Sequence, residues 1–142
     1  MIAPLLSKEQ KNALRSRIRA YKEWLTTSNG VESIKEHRDH ERFFKMKLHS
    51  DRIDSMTERE FREVYTTLWA SGFWGNKDWY IDNKLLGPNE LEKIRDELKK
   101  LLYGCEEFAA RYDRFRENIK GFGPSSISEI LHFVFPEKYN AG

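Results

Sequence analysis

Apolar residues recur at helical spacing along most of the chain. Leu14, Ile18, Tyr21 and Leu25 follow one another at steps of four, three and four, which puts them on one stripe of a helix. Just ahead of them Ser7-Lys8-Glu9-Gln10 has the spacing of a capping box, so a helix of about five turns is expected to begin there. Thr26-Thr27-Ser28-Asn29-Gly30 reads as a stop and a turn. Val31 to Leu48 has good helix formers, and a second helix is expected, although Ile34, Phe43, Phe44, Met46 and Leu48 share no single stripe. A second capping box, Thr57-Glu58-Arg59-Glu60, precedes Phe61, Val64, Tyr65 and Leu68, an amphipathic helix expected to end near Gly72. Gly87-Pro88-Asn89 opens another, with Leu91, Ile94, Leu98, Leu101 and Leu102 as its buried stripe, and Tyr103-Gly104 closes it. Phe108, Tyr112, Phe115 and Ile119 then mark a helix that leads into a short final one built on Ile127, Ile130, Leu131 and Val134.

These elements predict one all-α domain over residues 1–142, of five to six helices, with no sheet. Its core is expected to hold Leu14, Ile18, Phe61, Val64, Leu68, Leu91, Ile94, Leu98, Phe108, Tyr112, Phe115, Phe122, Ile127, Ile130, Leu131 and Val134. Between the third and fourth helices, residues 69–80 carry five aromatics among twelve positions (Trp69, Phe73, Trp74, Trp79, Tyr80) with two glycines and no sustained period. That segment is expected to be an ordered loop over about residues 71–87. Its rings either plug the ends of the helices or form a surface on which bases stack, for which Phe73, Trp74, Trp79 and Tyr80 are the candidates beside the polar Asn76, Lys77 and Asp78.

Composition narrows the function. A chain of 142 residues with 39% hydrophobic and 13% aromatic positions, 8 Gly and 4 Pro is neither disordered nor fibrous. One cysteine, Cys105, excludes an internal disulfide. No apolar run reaches the roughly 18 to 20 residues of a membrane span, and the opening residues have no basic lead, so the expected setting is the cytoplasm, with no membrane partner. Charge is uneven: residues 1–50 hold 11 basic and 6 acidic groups, 51–100 hold 9 and 11, and 101–142 hold 5 and 6. In the basic third, Lys11, Arg15, Arg19 and Lys22 line up beside the apolar stripe, as either a solvated face or a face for phosphates.

Enzymatic signatures are missing. There is no phosphate-binding loop ending in Gly-Lys-Ser/Thr, no Gly-x-Ser-x-Gly and no His-Glu-x-x-His. His37 and His40 stand three apart on a helix without a further ligand in reach, and read as exposed members of a charged cluster. Asp51, Asp54, Asp78 and Asp82 read as turn and cap residues. No metal or cofactor and no catalytic residues are expected.

The most informative segment is Ile119-Lys120-Gly121-Phe122-Gly123-Pro124-Ser125-Ser126-Ile127. Two glycines around one apolar residue between two helices form a helix-hairpin-helix-like pattern. Gly121 and Gly123 can take positive φ and bring backbone amides close to a phosphate, Phe122 anchors the turn in the core, and Lys120, Ser125 and Ser126 can add phosphate contacts. The alternative is a plain helix connection in which glycine only ends a helix.

A longer stretch, Leu68-Trp69-Ala70 with Trp74-Gly75-Asn76-Lys77, Arg111-Tyr112-Asp113-Arg114-Phe115 and above all Lys120 to Tyr139, resembles the N-terminal region of some McrB-like AAA+ restriction proteins. The resemblance covers about residues 57–140. It implies a non-catalytic DNA-recognition domain, often for modified DNA, at the start of a longer chain that also carries an AAA+ motor. The hairpin is also similar to that of DNA glycosylases, but no Asp follows it before Asn140-Ala141-Gly142, and Ser125 stands where a basic residue is common. Duplex DNA is therefore the expected partner. A protein-interaction domain docking through the aromatic segment is the alternative, and a glycosylase-like fragment comes third.

Overall fold

The structure, a computed structural model, describes residues 5–139; the readings that touch Met1–Pro4 and Asn140–Gly142 lie outside them. Among the described residues there are seven α-helices and no strand, and the chain divides into two compact units at Asp39/His40.

In the first unit, α1 (Lys8–Leu25) starts at the expected capping box: the Gln10 amide donates to Ser7 Oγ at 3.1 Å, and the Ser7 amide donates to Gln10 Oε1 at 2.9 Å. The connection that follows is tighter than the five-residue turn expected. Thr26 closes α1, and α2 (Ser28–Lys47) has already begun two residues later. Gly30 thus lies inside a helix, where an added Cβ would collide with the Trp24 carbonyl and come within 2.6 Å of Leu25 Cα, so the close approach of the two helices needs glycine. No residue of α1 is buried, and Leu14 and Ile18, expected in the core, are exposed.

The second unit holds the hydrophobic core. Phe44 and Leu48, at the end of α2, enter it; a 3₁₀ turn at Ile53–Ser55 buries Ile53; and α3 (Glu58–Thr67) buries Phe61, Val64 and Tyr65 behind the second capping box. Next come a 3₁₀ helix, Trp69–Phe73, then α4 (Lys77–Tyr80) running into a π-helical turn, Ile81–Leu85, that buries Ile81 and Leu85. This short α4 is the helix beyond the six expected. Pro88 lies in the turn before α5 rather than in its first turn, since α5 (Leu91–Tyr103) has Glu90 as its N-cap. The helices α6 (Phe108–Asn118) and α7 (Pro124–Val134) complete the unit.

Helix α5 packs on α6, burying Ile94, Leu98, Leu101 and Leu102, while α7 buries Ile127, Ile130, Leu131, Phe133 and Val134. Of the other expected core members, Leu91 and Tyr112 are half-buried and Phe108, the first residue of α6, is exposed. A helix's first turn has no preceding turn to shield it, so spacing alone overstates burial there.

Candidate nucleic-acid interface

The α6–α7 turn is a clasped structure. Gly121 has φ +94°, and a Cβ there would strike the Lys84 carbonyl and lie 2.6 Å from Leu85 Cδ2, so both conformation and space call for glycine. Asn89, buried in the turn before α5, holds the neighbouring residue from both sides: its Nδ2 donates to the Lys120 carbonyl at 2.8 Å, and the Lys120 amide donates to its Oδ1 at 2.9 Å. Tyr80 adds a third tie, its hydroxyl donating to the Gly121 carbonyl at 2.6 Å. Phe122 is buried among Phe61, Tyr65 and Phe115, as an anchor should be.

What the turn offers to solvent is narrower than expected. The Lys120 amide is committed to Asn89, and Ser126 is buried inside α7, so neither can meet a phosphate as the sequence suggested. The Lys120 side chain and Ser125 are exposed, and Gly123 starts α7 with no side-chain cap on its first-turn amides. An uncapped helix start carries a partial positive charge and outward N–H groups.

The aromatic segment is tied to the same turn through Tyr80. That ring is buried between Trp74, 4.3 Å away and nearly parallel, and Tyr65 at 5.6 Å. Tyr80 is therefore a pillar of the fold, and its expected role as a stacking surface is overturned by burial. Burial, with the Tyr80 phenol beside it, also pushes the Tyr65 hydroxyl well above the usual tyrosine range. The other three candidates reach solvent: Phe73 is 89% exposed, Trp79 52% and Trp74 43%. Lys84 Nζ sits 5.9 Å over the Trp79 ring.

The polar residues among these rings are engaged locally. Asn76 Oδ1 accepts from the Trp79 amide at 2.9 Å as the cap of α4, Lys77 Nζ donates to the Thr66 carbonyl at 3.1 Å, and Asp78 pairs with Arg62 at 3.4 Å. Arg62 also pairs with Asp82 and Glu58, and the hydrogen bond to Asp82 above all raises its pKa further. These polar side chains are thus committed within the fold.

A buried polar cluster escaped the sequence reading. Glu129, on α7, accepts from the Trp69 and Ala70 amides at 2.7 and 2.9 Å and so caps the 3₁₀ helix from 60 residues away; it also meets His40 Nε2 at 3.2 Å. The His40 ring is stacked on Trp69 at 4.2 Å and is largely buried, contrary to its expected exposure. Glu129 is the one acidic residue of α7 and stands among its buried apolar positions, and that placement was the available signal.

Of the remaining candidates, Lys11, Arg15, Arg19 and Lys22 are exposed on α1, in the other unit, whereas the structure brings the turn and the aromatic segment together. Cys105 is exposed, while His132 donates through Nδ1 to the Tyr139 carbonyl at 2.7 Å. Among the described residues no cluster of His, Cys, Asp or Glu suits a metal ion, and no helix is long and apolar enough to cross a membrane. Compared with family models, curated proteins and solved structures, the chain matches none.

Proposed function

We propose that the chain is a non-catalytic DNA-binding module of a restriction or defence system. The α6–α7 turn acts as a helix-hairpin-helix-like clamp on phosphates, and the exposed rings of Phe73, Trp74 and Trp79 stack on bases that leave the duplex. The observation that carries this reading is the clasp itself: a turn with positive φ at Gly121, held by Asn89 and Tyr80, beside exposed Lys120 and an uncapped helix start. The basic stripe of α1 adds attraction for a polyanion. The resemblance to McrB-like proteins suggests modified DNA as the target, the cytoplasm as the setting and an AAA+ motor in the same longer chain.

Labelled duplexes, with and without a modified base, test this with two exposed-residue variants that leave the core alone. Lys120→Ala weakens all duplexes alike and lowers the salt slope by about one. Trp79→Ala weakens the modified duplex more, by ~1–3 kcal/mol for one lost stack. A different outcome, in which both variants match the unaltered protein on every duplex, favours the second reading, a protein-docking domain. For that reading the supporting observation is the exposure of Trp69, Phe73, Trp74 and Trp79 within one short segment.

A further inference from the structure

The polar neighbours of the aromatic segment are spent on the fold, so that segment offers few hydrogen bonds to a base, and a second base-sized site would complement it. A cleft of about 420 Å³ between α6, α7 and the closing turn has what that segment lacks. Its walls are Phe108, Tyr112 and Tyr139, with Leu131 and Ser128 of α7 and with Lys138, whose Nζ lies 5.5 Å from the Phe135 ring. Phe108 stands 6.0 Å from Tyr112 and 5.0 Å from Tyr139 at tilted angles, so the three rings touch and form one aromatic wall of the cleft.

The wall is held in place by the fold. Arg111 lies 5.8 Å over Phe108, donates to the Leu101 and Glu106 carbonyls and reaches the Tyr139 hydroxyl at 3.5 Å; His132 fixes the Tyr139 backbone. The size of the cleft falls in the range of small-molecule sites, ~300–1,000 Å³. Among the described lining residues there is one cation and no carboxylate, which suits a flat ring bearing oxygen acceptors. Pro124, the first residue of α7 and the one after the Gly123 N-cap, is also in the lining, so the cleft adjoins the proposed phosphate clamp.

We propose that this cleft binds a nucleobase, packed against the wall of three rings and with a carbonyl oxygen of the base toward Lys138. The choice of a nucleobase over another flat ring rests on the DNA-binding reading above. The base comes either from DNA, by extrusion next to the clamped phosphates, or from free nucleotide.

Leu131, buried at the floor of the cleft, supplies the reporter, because a stacked ring shifts its methyl resonances. Deoxycytidine and thymidine monophosphates are titrated at millimolar concentration, and in parallel a duplex carrying one modified cytosine. Movement of the Leu131 methyls with both, abolished by Tyr139→Ala and weakened about tenfold by Lys138→Met, is the result expected for a base taken from DNA. Lys138 is exposed, so its variant separates ligand loss from loss of fold. Movement with the mononucleotides while the duplex fails to bind at low salt supports the cleft as a free-nucleotide site and removes the DNA reading. Still Leu131 methyls with the mononucleotides and with a duplex that does bind overturn the cleft proposal and leave the clamp standing.

Discussion

Helices α1 and α7 carry the same kind of pattern, Leu14, Ile18, Tyr21 and Leu25 on one, Ile127, Ile130, Leu131 and Val134 on the other. Seven residues of α7 are buried and none of α1 is. The difference lies outside the two helices. The hairpin before α7 is only five residues long and its Phe122 is driven into the core, which folds α7 back onto the second unit. Glu129 then finds the two amides at the start of the Trp69–Phe73 helix. Among the described residues the first helix has a cap and a turn but buries none of its own side chains, and Lys11, Arg15, Arg19 and Lys22 run beside its apolar stripe. Periodicity reports that a helix has an apolar face; it does not report what covers it.

Paired truncations on α1 and α7 are expected to differ most. Ile127→Ala on α7 is expected to cost ~2–5 kcal/mol of unfolding free energy, and Ile18→Ala on α1 under about 1 kcal/mol. Denaturant titration of both variants checks this, and equal costs would mean that the α1 face is covered after all. A smaller effect probes the tie that places α7: Gly121→Ala, forced into positive φ against the Lys84 carbonyl, is expected to cost ~1–3 kcal/mol. In the same variant, two-dimensional NMR should show the Tyr80 and Asn89 signals moving together, since both bond the turn.

The smallest effect separates the two capping boxes. At α1 the cap uses Gln10, which does not titrate; at α3 it uses Glu60, whose carboxyl is held below its ordinary 4.5 mainly by the hydrogen bond from the Thr57 amide. Because the folded value is lowered, this contribution is fully present above 4.5 and is lost as pH falls through the lowered value. Glu60→Gln should therefore flatten part of the acid limb of stability, while Gln10→Ala leaves its shape unchanged. Melting temperatures between pH 3 and 6 distinguish the two.

Much of the second unit was legible in the sequence. The stripes of α3, α5 and α7, the box at Thr57 and the burial of Phe122 all follow from local spacing. The segment from Trp69 to Leu85 was not legible as helix, because it passes from 3₁₀ to α to π geometry within seventeen residues and no single period describes it. Exposed rings were foreseen as one of two readings; which ring would be buried was not, since Tyr80 is taken into the core by a bond to Gly121, 41 residues away. Asn89 read as a helix opener and proves to be the clasp of the hairpin, and Glu129 and His40 meet across 89 residues. Each of these is a long-range polar contact, and spacing along the chain carries no trace of such contacts.

Phosphate clamping by the turn is read by fluorescence anisotropy of a labelled duplex titrated with the intact chain at several salt concentrations. A clamp binds the duplex at low salt, with log K falling linearly against log salt at a slope that reflects the phosphates neutralised. No binding at low salt, or an affinity indifferent to salt, would contradict it.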